Sequence, residues 1–149
     1  MKIREYKDED CTAVSKLFYE TVHTVNAKDY TAEQLSAWAQ NADGLKQRRE
    51  DLLKQHTLIA EIDGVIVGFG SIDNSGCLDF LFVHKDYQRR GVATALCDEL
   101  EKGFNVIKTF ASITAKPFFE SRGYKVIKAQ EVERFGVKLQ NYEMHLNHL

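Results

Sequence analysis

Hydrophobic residues in the first part of the chain recur at the spacing of helices. After a short strand-like segment at residues 3–6, apolar side chains follow at three- and four-residue intervals over residues 14–25, and Asp10 stands where the N-cap of this helix belongs. Residues 31–34, Thr-Ala-Glu-Gln, have the spacing of a capping box and predict a second helix. A third helix is expected over residues 43–55, where leucines recur among charged residues.

The pattern then changes to the character of a sheet. Two β-branched runs, residues 57–62 and 65–72, flank Asp63-Gly64, a dipeptide typical of a tight hairpin turn. Residues 77–83 predict a third strand, and helical spacing returns at residues 90–102. The remaining predicted elements are strands at 106–111, 124–132 and 137–146 and a short helix at 114–122. This order predicts an α/β protein of the α+β kind, built on a mostly antiparallel sheet.

Composition and charge narrow the class of protein. The chain has 149 residues, 44% of them hydrophobic, and its 20 basic and 22 acidic residues nearly balance. This length predicts a single domain over residues 1–149, and the balanced charge is unlike the basic excess of nucleic-acid binders. No apolar run reaches the roughly 18 residues of a membrane helix. The odd number of widely spaced cysteines indicates reduced thiols and no zinc site. We therefore expect a cytoplasmic protein with no nucleic-acid partner, no membrane partner and no metal.

The most informative segment leads from a hydrophobic strand through a short loop into a helix. The loop reads Gln88-Arg89-Arg90-Gly91-Val92-Ala93 and is followed by Thr94. Free N–H groups and the positive dipole end at a helix start attract anions, and Gly91 and Ala93 leave space for a phosphate. A pyrophosphate suits this loop best, whereas a plain glycine-containing connection with solvated arginines remains the alternative. The sequence contains neither the P-loop motif nor the Rossmann dinucleotide fingerprint.

The loop resembles the Q/R-x-x-G-x-G/A motif of the GNAT acetyltransferase superfamily. A second segment, residues 112–124, resembles the N-x-x-A-x-x-[FL]-Y-E-x-x-G-[FY] signature that follows the fifth strand in these enzymes. Residues 22–30 and the segment around Trp38 are similar to the bacterial YafP-like branch. The resemblance implies the GNAT fold, in which helices flank a mixed, mostly antiparallel sheet of about seven strands with a splayed coenzyme-binding strand pair. It also implies acetyl-CoA as co-substrate and acetyl transfer to the amine of a small molecule or peptide.

The resemblance further assigns coenzyme contacts to particular residues. The backbone of Phe82 and Val83 would bind the pantetheine arm, Ser112 replaces the family's asparagine, and Phe118 is the aromatic residue beside the coenzyme. The pyrophosphate would lie on Gln88, Arg89, Arg90, Gly91, Val92, Ala93 and Thr94. Edge strands near the C terminus often pair in this superfamily, which makes a homodimer one expected assembly.

The resemblance does not assign the catalytic acid, because Phe119 stands where many family members have a proton-donating tyrosine. Tyr124 has the required hydroxyl, although its position is normally an aromatic core residue. Asp79 is a carboxylate within a hydrophobic strand, where alternation would place it on the side of Leu81 and Val83. It is either a candidate base or the partner of a basic residue.

Two further groups and one alternative function remain open. His84 directly follows the strand, and histidine is a common general base, so it is a second candidate base or, alternatively, a solvated loop histidine. Glu61 or a chain of water molecules could also take the proton. Because Phe119 lacks a hydroxyl, the alternative function is a weak or inactive acetyl-CoA-binding module used for sensing or interaction.

Overall fold

The computed structural model describes residues 1–148 and contains one seven-stranded sheet with helices packed on both faces. The strands are β1 Lys2–Glu5, β2 His56–Ile62, β3 Val65–Ile72, β4 Cys77–Val83, β5 Val106–Ser112, β6 Lys125–Arg134 and β7 Val137–Asn147. The helices are α1 Cys11–Thr24, α2 Ala32–Trp38, α3 Arg49–Lys54, α4 Val92–Leu100 and α5 Lys116–Ser121. The order across the sheet is β1-β2-β3-β4-β5-β7-β6, and only the β4–β5 pair is parallel. The predicted α/β fold class is confirmed.

The local signals of turns and caps account for several boundaries. Asp63 and Gly64 both adopt positive φ, 52° and 78°, as a two-residue hairpin turn between β2 and β3 requires. In the capping box of α2, the Gln34 N–H donates to Thr31 Oγ1 over 3.1 Å, and the Thr31 N–H donates to Gln34 Oε1 over 2.9 Å. Both predictions are confirmed.

Two hydrophobic clusters hold the helices against the sheet. One packs α4 on the sheet through residues that include Val67, Leu96, Leu100 and Ile107. The other lies on the α1 and α2 side and includes Val14, Leu35, Ile59, Phe69 and Phe80. The clusters define two faces of the sheet, named here the α4 face and the α1 face.

Glycines in β3 allow α4 to approach the sheet closely. A Cβ at Gly68 would stand 2.9 Å from a Val92 methyl group, and one at Gly70 would stand 2.7 Å from a Leu100 methyl group. This close packing fixes the N-terminus of α4 beside the end of β4.

Two features of the first half of the chain differ in part from the sequence predictions. Asp10 occupies the N-cap position of α1, as expected, but its side chain makes no capping hydrogen bond, because Oδ2 accepts from the Lys7 N–H and from Arg4, both over 2.8 Å. The predicted third helix begins as a 3-10 turn, Gly44–Arg48, and only then continues as α3. Within residues 1–148, no helix combines the length and apolar character needed to cross a membrane.

Candidate active site

The parallel strands β4 and β5 separate soon after they pair. They are in register at only two positions, Cys77 with Lys108 and Leu78 with Thr109, and Thr109 Oγ1 donates to the Leu78 carbonyl over 3.0 Å. Beyond this joint β4 continues beside β3, whereas β5 continues beside β7. The separation opens a cleft of about 1090 Å³, lined by both strands and by the start of α4. The structure therefore contains the splayed strand pair that the resemblance implied.

The edge of β4 that faces this cleft carries free backbone groups at alternate residues. The His84 N–H donates to the Val67 carbonyl over 2.8 Å, so these two residues form a hydrogen-bonded antiparallel pair. Hydrogen-bonded and non-hydrogen-bonded pairs alternate along such a ladder. The backbone of Phe82 is therefore directed to Phe69 of β3, while Leu81 and Val83 direct theirs toward the cleft.

The backbone contacts predicted for the pantetheine arm need correction on this basis. Because the Phe82 backbone is directed to β3, Leu81 and not Phe82 has backbone groups that face the cleft beside Val83. The Val83 carbonyl already accepts a hydrogen bond from Gln88 Nε2 over 2.6 Å. Gln88 thus ties the loop to the end of β4, which the sequence motif alone did not reveal.

The loop before α4 has the backbone geometry of an anion site. Gly91 has φ 81° at the N-cap of α4, and Arg89 also adopts a positive φ of 60°. The first backbone bond at this helix start runs from the Ala95 N–H to the Gly91 carbonyl, so the preceding N–H groups lie outside the helical ladder. Val92, Ala93 and Thr94 supply these groups, and all three line the cleft. A Cβ at Gly91 would meet nothing within 4 Å, so the space in front of the loop is open.

The two arginines of the loop have different surroundings. Arg89 lines the cleft, whereas the guanidinium carbon of Arg90 lies 5.2 Å from the centre of the Tyr87 ring. Arg90 is not among the residues that line the cleft. The structure thus brings only Arg89 of this predicted pair to the anion site.

Ser112, Phe118 and Phe119 line the opposite side of the cleft. Ser112 Oγ accepts a hydrogen bond from the Ala115 N–H over 3.0 Å and a longer one, 3.4 Å, from Asn26 Nδ2. Ser112 therefore shapes the turn into α5 and connects it to the segment after α1.

Asp79 lies at an irregularity in β4. Ser71 of β3 pairs with Phe80, and Ile72 pairs with Leu78. Asp79 therefore has no paired residue in β3 and forms a β-bulge. Arg48 Nη2 donates to Asp79 Oδ2 over 2.6 Å while the same guanidinium lies 4.9 Å from the Phe80 ring on the α1 face. The predicted placement of Asp79 with Leu81 and Val83 is wrong, because the bulge interrupts the alternation.

The carboxylate of Asp79 is held by one oxygen. Gln55 Nε2 also donates to Oδ2, over 3.0 Å, and Gln55 Oε1 accepts from Ser71 Oγ over 2.5 Å. Oδ1 accepts no hydrogen bond from residues 1–148. Asp79 lines the cleft, so it is a carboxylate of fixed position with one oxygen unused.

Tyr124 does not reach the cleft. It is 2% exposed, and its hydroxyl donates to Glu101 Oε2 over 2.7 Å. Burial, and then the hydrogen bond to Glu101, raises the pKa of Tyr124 far above its ordinary value. The structure therefore places Tyr124 in the core and removes it as the catalytic acid.

His84 also lies outside the cleft. Its Nδ1 accepts a hydrogen bond from the Asp86 N–H over 3.1 Å, and its ring borders a separate hollow of about 270 Å³. Glu61 is engaged by Arg4, whose Nε donates to Oε1 over 2.6 Å. Of the candidate acids and bases, only Asp79 lines the cleft.

Comparison with known proteins decides the family. Residues 26–146 match the family model of the acetyltransferase (GNAT) domain. The chain belongs to the GNAT acetyltransferase family. It is 38% identical to an uncharacterized N-acetyltransferase of Escherichia coli K12, YafP, over 97% of this chain and 94% of that protein. The prediction of an N-acetyltransferase of the YafP-like branch is confirmed.

Solved structures of GNAT proteins share the fold. A GCN5-related N-acetyltransferase from Rhodopseudomonas palustris superposes with a TM-score of 0.93 at 36% identity, covering 98% of this chain and 94% of that one. The PaiA N-acetyltransferase from Thermoplasma acidophilum, in complex with coenzyme A, superposes with a TM-score of 0.77 at 16% identity, and the match covers 98% of each chain. The predicted GNAT fold is confirmed.

Aromatic residues of the α1 face form one side of this GNAT cleft. Phe18, Tyr30, Trp38, Phe80 and Phe82 all line the cleft from the α1 face. In the sequence they are ordinary apolar positions of helices and strands, and only the splay of β4 shows that they border open space. Residues 1–148 form no cluster of three His, Cys, Asp or Glu side chains that could hold a metal.

Proposed function

We propose that the protein is an acetyl-CoA-dependent N-acetyltransferase that acts on the amine of a small molecule or peptide. The observation that carries this proposal is the early separation of β4 from β5 beside the left-handed loop at the start of α4. The separation leaves a strand edge for an extended amide-containing arm, and the loop supplies N–H donors for a pyrophosphate.

Each part of the coenzyme would have a distinct partner. The backbone of Leu81 and Val83 faces the pantetheine arm, and the N–H groups of Val92, Ala93 and Thr94 face the pyrophosphate. Arg89 adds positive charge at the rim, and Phe118 packs beside the arm from α5. Acetyl-CoA, when bound, supplies the thioester from which the acetyl group is transferred.

Asp79 is the residue that we assign as general base. The amine nitrogen forms a bond to the acetyl carbon, the carbon–sulfur bond breaks, and the sulfur leaves as a thiolate. Before this attack, Asp79 Oδ1 takes one proton from the protonated amine, while Arg48 and Gln55 hold Oδ2 in place. The second proton, which the nitrogen loses on attack, passes to water. Because Tyr124 is buried and Phe119 lacks a hydroxyl, we assign the proton gained by the thiolate to water.

Thiol release from acetyl-CoA, measured with a panel of amines, tests this function when combined with mass spectrometry of the products. We expect one acetyl group on the amine and a rise in melting temperature of roughly 5–10 °C at a coenzyme A concentration of about 100 times Kd. Stabilisation without acetylation of any amine would favour the sensing or interaction module. No stabilisation by coenzyme A would overturn the proposal. A cytoplasmic location, a single-domain organisation and a homodimer remain predictions from the sequence.

A further inference from the structure

The aromatic residues of the cleft form a prearranged apolar wall. Phe18, Tyr30 and Phe80 are each at most 8% exposed and form a buried layer behind Trp38 and Phe82, which are partly exposed. The Phe18 and Phe82 rings meet edge to face at 4.9 Å, and Tyr30 and Trp38 do so at 5.4 Å. Rings packed in this way lose little conformational freedom when a ligand binds.

Trp38 and Phe82 form an inner corner of this wall. Their ring centres are 6.2 Å apart and their planes meet at 62°. Both rings belong to the α1 face, whereas the loop of the anion site leads into α4 on the opposite face. The wall and the pyrophosphate site therefore lie on different sides of the opening between β4 and β5, so a coenzyme held at α4 leaves the wall to the acceptor.

The charges of the cleft disfavour an acceptor with several positive groups. Four basic side chains line it, Lys28, Arg48, Arg89 and Arg134, against one acidic side chain, Asp79. Asp79 is already paired with Arg48, and Lys28 and Arg134 form no ion pair with any acidic residue of the described chain. A second ammonium group on the acceptor would meet no counter-ion in the cleft and would be repelled by these cations.

We propose that the acceptor is a monoamine on a flat apolar body, best an aromatic one, which packs into the corner formed by Trp38 and Phe82. This inference rests on the proposed function and narrows it. It disfavours polyamines, aminoglycosides and lysine-rich peptides as acceptors, because Asp79 is the only acidic side chain among the described residues that line this cleft.

The test compares kcat/KM for 2-phenylethylamine, spermidine and a lysine-rich peptide at saturating acetyl-CoA. We expect 2-phenylethylamine to exceed both polycations by at least about 100-fold. Trp38→Ala should raise KM for 2-phenylethylamine about tenfold with little change in kcat, and Trp38→Phe should recover most of the loss. The Kd of coenzyme A should stay unchanged in both variants.

Lys28→Glu gives a second test that does not disturb the wall, because Lys28 is exposed. It should raise kcat/KM for spermidine several-fold and raise the value for 2-phenylethylamine by a clearly smaller factor, because spermidine carries additional ammonium groups. Preferred acetylation of spermidine or the peptide by the unmodified protein would overturn this inference and leave the proposed function intact. The absence of acetylation for every amine would instead count against the proposed function.

Discussion

The hydroxyl of Tyr124 donates to Oε2 of Glu101 across 2.7 Å, in a core where the two residues are 2% and 6% exposed. Arg122 holds the same carboxylate, with Nε bonded to Oε2 over 3.1 Å and Nη2 bonded to Oε1 over 2.6 Å. This cluster joins the end of α4 to the start of β6. A tyrosine used in this way stabilises the fold and has no hydroxyl to offer the leaving thiolate.

Replacing Tyr124 by Phe should therefore change stability and not turnover. We expect the free energy of unfolding to fall by about 1–2 kcal/mol, because a buried hydrogen bond to a charged group is lost while the ring still packs. Denaturant unfolding measures this loss, and kcat measured below the melting temperature provides the second readout. A fall in kcat per folded molecule of tenfold or more would restore Tyr124 as a catalytic residue.

The same variant should alter the response of stability to alkaline pH. The folded state raises the pKa of Tyr124 above the value near 10 that it has in the unfolded chain. Its contribution to stability is therefore complete below about pH 10 and is lost as the pH rises further, because only the unfolded state then releases the proton. Unfolding of the Phe variant should depend less steeply on pH above about pH 10. Identical slopes for the two proteins would contradict this assignment.

The sequence alone predicted the structure well where neighbouring residues determine the backbone conformation. Asp63-Gly64 predicted the hairpin because few other dipeptides tolerate two positive φ values. Asp79 could not be placed, because a bulge in β4 depends on how β3 pairs with it. Tyr124 could not be assigned either, since its partner Glu101 lies 23 positions earlier in the chain.

Arg89 and Arg90 should contribute unequally to coenzyme binding. Arg89→Gln should raise the Kd of coenzyme A about tenfold at low salt, because a charge-assisted contact with phosphate is lost from the cleft. Arg90→Gln should change the Kd less than twofold, since its guanidinium packs on Tyr87. Titration calorimetry at two salt concentrations measures the Kd of coenzyme A for both variants. The increase in Kd caused by Arg89→Gln should be smaller at high salt, because salt screens the lost attraction. Equal losses in the two variants would contradict the difference in their surroundings.

Asp79→Asn tests the assigned base. With 2-phenylethylamine, which is almost fully protonated near pH 7, we expect kcat to fall on the order of 100-fold with coenzyme affinity unchanged. With aniline, an amine that is neutral at this pH, the loss should be much smaller, because no proton has to leave before attack. The comparison uses initial rates at saturating acetyl-CoA. Equal losses for both amines, accompanied by a lower melting temperature, would make Asp79 a structural partner of Arg48.

The position of the pyrophosphate is tested most directly by two glycines at opposite ends of α4. Gly91 and Gly103 have nearly the same φ, 81° and 86°, and a Cβ at either would meet nothing within 4 Å. Alanine should therefore cause a similar backbone strain at both positions, about 1–2 kcal/mol, but only Gly91 lies at the cleft. Titration calorimetry with coenzyme A should give a Kd at least about tenfold higher for Gly91→Ala and an unchanged Kd for Gly103→Ala. Equal affinities of the two variants would contradict binding of the coenzyme at the start of α4.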